Sequence, residues 1–210
     1  METSHVLYLH GFAQCSPEST PQLRTLRMAL PGCVIHAPCY HPAGIVRETS
    51  IRETLRSLVG LLDRSPSRAM SVVGYSFGGL LCALLAAEHP QLVTNVLLLA
   101  PAIDNYERNY ASLRPSAWQM PSSFVMEMKE LPARPRITRP TTLVHGTLDD
   151  DSGGSAPWRV QAWAKEERFA SLVLLEGVYH DLEPWLTLPP AGGAALPPSH
   201  AVIRTALRLP

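Results

Sequence analysis

The stretch Gly74-Tyr75-Ser76-Phe77-Gly78-Gly79 decides the fold of this chain. It follows an apolar run over 69–73 and precedes a helical pattern over 80–89. A serine in the pattern G-x-S-x-G, between a buried strand and a helix, sits on a sharp, strained turn whose glycines avoid clashes with both elements. The turn exposes the hydroxyl and points the helix N-terminus towards it. The pentapeptide alone occurs by chance, but this context predicts that Ser76 is a nucleophile.

A feature upstream predicts groups that would stabilise negative charge beside the serine. Residues 6–9 form a predicted strand that leads into His10-Gly11-Phe12. An oxyanion hole of this architecture takes one backbone N–H from the residue after the nucleophile, here Phe77, and one from the loop after an earlier strand, for which Phe12 is best placed. Gly11 lets the backbone approach the substrate oxygen. Two roles are open to His10, a catalytic base or a brace for the loop, and the sequence favours the brace.

Two later strands end in residues that suit the rest of a catalytic triad. The predicted strand 141–144 runs into an acidic loop at 149–151, and the predicted strand 171–175 is followed by His180. A carboxylate in such a loop fixes the tautomer of the base, and the base takes the proton of the serine hydroxyl. Spacing from the preceding His145-Gly146 pair favours Asp149 as the acid, with Asp151 as the next candidate.

Strand and helix patterns alternate along the whole chain. They predict one domain over 1–210, with a mostly parallel six-stranded sheet covered by helices on both faces. Predicted strands are 6–9, 34–36, 69–73, 96–99, 141–144 and 171–175, and predicted helices are 19–30, 50–62, 80–89, 157–169 and 200–209. Residues 103–139, rich in aromatic residues, methionine and proline, are predicted to lie outside the core, and 184–198 to be irregular.

These segments, with 8–12, 98–102 and 143–146, make the chain similar to the α/β-hydrolase fold from its third strand to its last helix, and more narrowly to small bacterial serine esterases. The resemblance implies Ser76 as nucleophile, Asp149 as acid and His180 as base. It implies Phe12 and Phe77 as the oxyanion-hole residues.

The resemblance also implies a role for the segment 103–139, as a short cap insertion over the active site. The expected substrate contacts are Gly11 and Tyr75 near the triad, Trp118 in the cap, and Trp185 after the base. A second position for the acid comes from some lipases of this fold, which place it after the sixth strand, and Asp104 occupies that position here.

The function implied by the resemblance is a class of reaction. We expect a serine hydrolase that cleaves a carboxylic ester or a thioester with an apolar acyl group, through an acyl-enzyme and without a cofactor. An acyltransferase or biosynthetic thioesterase with the same triad remains open, as does a ligand-binding protein without chemistry on this scaffold. The fold hosts many chemistries, so acyl chain and leaving group stay undetermined.

Composition excludes several other classes. The chain has 210 residues, 46% hydrophobic and 17% charged, with 18 basic and 18 acidic side chains, and no basic tract that would suit nucleic acid. The N-terminal residues predict no signal peptide, and the longest apolar runs are too short for a membrane span. Four cysteines without paired spacing predict a reduced, cytoplasmic protein. No metal-ligand spacing or dinucleotide fingerprint occurs, and the oligomeric state is left open.

Overall fold

The computed structural model is built on a six-stranded sheet in which every pair of neighbouring strands is parallel. The structure describes residues 4–12, 14, 17–41, 50–67, 69–103, 122–150, 155–187 and 197–208. The strands lie in the order β2-β1-β3-β4-β5-β6. Their bounds are β1 His5–Leu9, β2 Val34–His36, β3 Met70–Tyr75, β4 Val93–Leu99, β5 Thr141–Gly146 and β6 Ser171–Leu175. The expected six-stranded α/β architecture is confirmed.

The described residues form seven α-helices and two short 3₁₀ turns, Pro17–Ser19 and Pro90–Leu92. The helices are α1 Pro21–Ala29, α2 Ile51–Asp63, α3 Phe77–Glu88, α4 Ser122–Glu130, α5 Pro157–Glu166, α6 Glu183–Thr187 and α7 Pro198–Leu207. Local sequence explains two starts. The Thr20 hydroxyl accepts from the Leu23 N–H at 3.2 Å and the Ser50 hydroxyl from the Glu53 N–H at 3.2 Å, so each caps its helix.

The two faces of the sheet carry different helices because strand side chains alternate. Leu7, Leu9 and Val72 face the core shared with α2, α3, α4 and α5. Val6, Tyr8 and Val73 face the core shared with α1, α6 and α7. Residues 77–86 of α3 are all buried, and a helix that is apolar on every side belongs inside such a layered domain. Parallel strands all end on one edge of the sheet, where ligand sites of open α/β sheets form.

Two predictions from the sequence are wrong in detail. A short helix, α6, overlaps the start of the stretch predicted to be irregular, because Asp181 Oδ1 accepts from the Glu183 N–H at 3.1 Å and Pro184 suits a first helical turn. The segment 103–139 was expected to stay outside the core. Phe124 and Met128, on α4, are nevertheless buried in the core with α3. Of the segment expected to form a cap, residues 104–121 lie outside the described part of the chain. Within the described residues, no helix is long and apolar enough to cross a bilayer.

Candidate active site

Ser76 lies on a strained turn between β3 and α3. Its backbone has φ 54° and ψ −120°, in a region that non-glycine residues rarely adopt. Hydrogen bonds hold the turn: the Ser76 N–H donates to the Leu99 carbonyl at 3.0 Å, and the Ser76 carbonyl accepts from the Ala102 N–H at 3.0 Å. The neighbouring strand end therefore fixes a conformation that the serine alone would not choose.

The last glycine of the pentapeptide is required by a close approach of two backbones. A Cβ on Gly78 would lie 2.1 Å from the Leu9 carbonyl oxygen and 2.4 Å from that of His10. Both oxygens belong to the chain that leads from β1 towards Phe12. The absence of a side chain at Gly78 thus lets the first turn of α3 pack directly against the predicted oxyanion loop.

His180 connects Ser76 to Asp149 by two hydrogen bonds. Its Nε2 lies 2.9 Å from Ser76 Oγ, and its Nδ1 lies 2.7 Å from Asp149 Oδ2. The carboxylate can only accept, so Nδ1 carries the proton and Nε2 is left to accept from the serine hydroxyl. The Asp149 side chain is 1% exposed and that of His180 is 22% exposed. The arrangement keeps the carboxylate away from water and leaves the imidazole open to a substrate.

The loops that carry Asp149 and His180 are joined to each other by backbone contacts. The Thr147 N–H donates to the Leu175 carbonyl at 2.9 Å, and the Leu148 N–H donates to the Val178 carbonyl at 2.9 Å. In return, the Gly177 N–H donates to Thr147 Oγ1 at 2.9 Å. Since β5 and β6 are neighbours, these bonds continue the pairing of the two strands beyond their ends and bring the two loops together.

The loop that carries His180 is also held by a contact with α1. Gln22, on α1, donates from Nε2 to the Asp181 carbonyl at 3.1 Å. Leu182 has φ 56° and its N–H donates to the Tyr179 carbonyl at 3.2 Å, which closes a tight turn around His180. The imidazole is therefore fixed by its loop as well as by its own two hydrogen bonds.

The other two candidate acids, Asp104 and Asp151, lie outside the described residues. The Asp149 N–H donates to the Gly146 carbonyl at 3.2 Å, which turns the chain directly after β5 and directs the carboxylate towards His180.

The two predicted oxyanion-hole residues lie side by side. The rings of Phe12 and Phe77 are 5.4 Å apart and cross at 86°. Phe77 is the first residue of α3, so its N–H belongs to the helix end where backbone donors have no partner within the helix. The Phe124 ring of α4 is 5.6 Å from that of Phe12 and 5.7 Å from that of Phe77. The aromatic rings thus join the oxyanion loop, α3 and α4 in one cluster.

Polar contacts brace the loop before Phe12. His10 Nδ1 donates to the Gly11 carbonyl at 2.8 Å, and the Gly11 N–H donates to Gln14 Oε1 at 2.8 Å. The Tyr40 hydroxyl donates to the His10 carbonyl, and the two rings stack at 3.9 Å with an angle of 1°. His10 therefore has the bracing contact favoured from the sequence. Tyr40 and Gln14 were not anticipated, and no local motif around them signals this role.

The expected substrate contacts fall in different surroundings. Tyr75 is buried, with its ring 5.4 Å from that of His180, and a Cβ on Gly11 would lie 3.0 Å from that ring. Trp185 is buried in the core on the α1, α6 and α7 face. Trp118 lies outside the described residues. Gly11 and Tyr75 thus lie near His180, whereas Trp185 packs into the body of the protein.

Burial keeps the groups around the oxyanion loop uncharged near neutral pH. It lowers the pKa of His41 to about 4, with His10 as a second cause, and lowers the pKa of His10 as well. It also raises the pKa of the Tyr75 hydroxyl. Among the described residues, no group of three or more His, Cys, Asp or Glu side chains could hold a metal ion.

The chain belongs to the alpha/beta hydrolase fold family, because residues 4–124 match that family's model. Its fold recurs in solved structures of low sequence identity. Est1E from Butyrivibrio proteoclasticus with ferulic acid bound has a TM-score of 0.79 and 18% identity, covering 97% of this chain and 88% of that chain. Alpha/beta hydrolase domain-containing protein 10 from mouse has a TM-score of 0.67 and 19% identity, covering 87% and 84%.

A further similar structure is the thioesterase domain from the curacin biosynthetic pathway. It has a TM-score of 0.60 and 17% identity, covering 87% of each chain. Identities this low show a common fold and nothing finer. No curated protein sequence matches this chain significantly.

Proposed function

We propose that this protein is a serine hydrolase that cleaves a carboxylic ester or a thioester through an acyl-enzyme on Ser76. The observation that carries the proposal is the pair of hydrogen bonds from Ser76 Oγ to His180 Nε2, 2.9 Å, and from His180 Nδ1 to Asp149 Oδ2, 2.7 Å. A nucleophile in reach of a base that a third group orients is the arrangement needed for nucleophilic catalysis.

In the first half of the reaction, Ser76 Oγ attacks the substrate carbonyl carbon while His180 Nε2 takes its proton. Asp149 stays ionised and stabilises the imidazolium that forms. The tetrahedral intermediate carries negative charge on the former carbonyl oxygen. The Phe12 and Phe77 N–H groups are the proposed donors to that oxygen. One such donor lowers the activation free energy by about 3 kcal/mol.

Acylation ends when the imidazolium returns its proton to the leaving alcohol or thiol as the intermediate collapses. In the second half, water enters, His180 takes a proton from it, and the resulting hydroxide equivalent attacks the acyl carbon. As this second intermediate collapses, His180 returns the proton to Ser76 and the acid product leaves. Every proton transfer runs through His180 Nε2 while Nδ1 stays bonded to Asp149, so the reaction needs no cofactor.

The chemical class of the acyl group is proposed as apolar or aromatic. The partly exposed ring of Phe12, packed on the buried rings of Phe77 and Phe124, supports this, because apolar walls with few polar groups are typical of ligand sites. The similar structure of Est1E was solved with ferulic acid, an aromatic acid, which makes a ferulate ester a reasonable test substrate.

The test is hydrolysis of p-nitrophenyl esters from acetate to decanoate, together with a ferulate ester and an acyl thioester. Wild type is compared with Ser76→Ala and with Ser57→Ala, a matched change of an exposed serine on α2. We expect activity in wild type and Ser57→Ala and background rates in Ser76→Ala. A fluorophosphonate probe should label wild type and Ser57→Ala and should not label Ser76→Ala. Cleavage that survives Ser76→Ala overturns the proposal.

Acyl transfer is the second candidate, because the acyl-enzyme accepts any nucleophile that reaches it. Adding an alcohol or amine to the ester assay separates the two functions. A hydrolase keeps releasing free acid, whereas an acyltransferase diverts most acyl groups to the added acceptor. Failure of the probe to label Ser76, together with no turnover on any substrate, would favour a binding protein without chemistry.

A further inference from the structure

The loop after β5 contains a buried histidine that the proposed reaction does not use. The His145 side chain is fully buried at the end of β5. Its Nε2 lies 2.7 Å from the Ser155 carbonyl oxygen. A carbonyl oxygen can only accept a hydrogen bond, so Nε2 carries the proton. His145 therefore presents a fixed N–H donor inside the acid loop.

The same nitrogen lies close to the acid. His145 Nε2 lies 3.3 Å from Asp149 Oδ2, the oxygen that also accepts from His180 Nδ1 at 2.7 Å. Because the Asp149 side chain is 1% exposed, water has little access to either contact. Nitrogens of two imidazoles, His180 Nδ1 and His145 Nε2, thus lie close to the same oxygen of Asp149.

His145 acts here as a neutral dipole. Burial lowers its pKa, and this outweighs the opposite effect of Asp149. The dipole of a neutral ring at this distance favours the carboxylate without adding a positive charge to compete with the charge that develops on His180. His145 is thereby suited to holding the acid in place during proton transfer.

A second set of contacts holds His145 itself. The Ser155 hydroxyl accepts from the Ile103 N–H at 2.8 Å and donates to the Ile103 carbonyl. These bonds fix the Ser155 carbonyl relative to the chain that leaves β4. The other ring nitrogen, His145 Nδ1, is buried without a hydrogen-bond partner within the described part of the chain. Hydrogen bonding to the ring therefore runs through Nε2 alone.

We propose that His145 is a positioning residue that holds the Asp149 carboxylate in the orientation that His180 requires, with Ser155 as its anchor. This proposal rests on the proposed hydrolase function. The proposal adds a fourth side chain to Ser76, His180 and Asp149, and this side chain does not contact the substrate.

The test compares two amide substitutions that differ in reach. In His145→Gln the amide nitrogen can occupy the place of Nε2, whereas in His145→Asn it reaches only the place of Nδ1. We expect kcat to fall roughly 10- to 100-fold in His145→Asn, because the N–H dipole beside the ionised carboxylate is lost, with KM within about two-fold. His145→Gln should restore most of kcat. Equal kcat in the two variants overturns the proposal.

A double substitution separates positioning from general structural support. If His145 acts through Asp149, then His145→Asn added to Asp149→Asn should reduce the rate of fluorophosphonate labelling no further. A loss by the same factor in both backgrounds would mean that His145 supports the fold alone. His145→Leu supplies the loss variant should His145→Asn fail to fold.

The two proposals fail in different ways. Ester cleavage that survives Ser76→Ala removes the proposed function and this inference with it. Activity that depends on Ser76 but stays at the wild-type level in His145→Asn removes the inference alone.

Discussion

The backbone of Gly146 packs directly against the carbonyl of Val178, so that a Cβ on Gly146 would lie 2.1 Å from the Val178 oxygen. Gly146 ends β5 and precedes Asp149 by three residues, while Val178 precedes His180 by two. The approach of these two backbones brings the candidate acid and base loops close enough for the 2.7 Å contact between Asp149 and His180. A side chain at this point would separate them.

Gly146→Ala should therefore damage both stability and activity. The methyl group must displace the Val178 carbonyl, at about 1–3 kcal/mol or more for overpacking, which corresponds to a melting temperature about 3–10 °C lower. Gly32→Ala is the matched control, because a Cβ at Gly32 meets no atom within 4 Å. Thermal denaturation and ester cleavage of both variants provide the measurement. Equal behaviour of the two would contradict the close approach.

Substitution of the acid distinguishes the three candidate aspartates. Asp149→Asn should lower kcat about 10³- to 10⁴-fold, because an amide favours the wrong tautomer of His180 and cannot stabilise its positive charge. Asp104→Asn and Asp151→Asn are the controls and should stay within about three-fold of wild type. Steady-state kinetics of the three variants decide the matter. A comparable loss in Asp151→Asn, with Asp149→Asn active, would transfer the role to Asp151.

His41 should make the protein less stable in acid. Burial lowers its pKa to about 4 in the folded state, against about 6.5 in an unfolded chain. Between these values the unfolded state binds more protons. The contribution is therefore intact above pH 6.5 and is lost as the pH falls towards 4, by about 3 kcal/mol in total.

Urea denaturation of wild type and His41→Gln at pH 7.0 and 4.5 tests this dependence. We expect the free energy of unfolding to fall less between the two pH values in His41→Gln than in wild type. Part of the fall should remain, because burial also lowers the pKa values of His10 and His145. The same fall in both proteins would show that His41 does not titrate as described.

Glu127 should anchor α4 to the start of α2. Its carboxylate accepts from the Ser50 hydroxyl at 2.8 Å and from the Ile51 N–H at 2.6 Å, where unpaired donors and the positive helix end favour an anion. Glu127→Gln should therefore cost about 1–2 kcal/mol of unfolding free energy. The matched control is Glu130→Gln, which loses only an exposed pair with Arg52 and should change stability little. Chemical denaturation that ranks the two variants equally would contradict the anchor.

Much of the fold could be predicted because its signals are local. Alternating apolar runs and helical periodicities located the six strands and the α-helices α1, α2, α3, α5 and α7. The start of α3 lies at Phe77, three residues before the predicted helical pattern, because the two glycines that follow it lack the apolar side chains from which periodicity is recognised. α6 was missed because a five-residue helix held by a capping aspartate leaves no periodicity to detect.

The segment around α4 shows that composition alone does not predict whether a segment packs into the core. Its prolines and methionines suggested an element outside the core, yet Phe124 fills the space beside Phe12 and Phe77. Whether an aromatic side chain covers a site or packs the body depends on which surface its helix meets, and that surface comes from residues about fifty to a hundred positions away in the chain.

The sequence by itself determined the parallel sheet, the turn at Ser76 and the edge at which chemistry would lie, because each depends on neighbours a few residues apart. Only the tertiary structure placed Asp149 against His180, brought Tyr40 to the His10 carbonyl and set His145 behind the acid. Spacing favours Asp149 as the acid, but the contact between its carboxylate and His180 depends on how the loops after β5 and β6 meet, which local sequence does not encode.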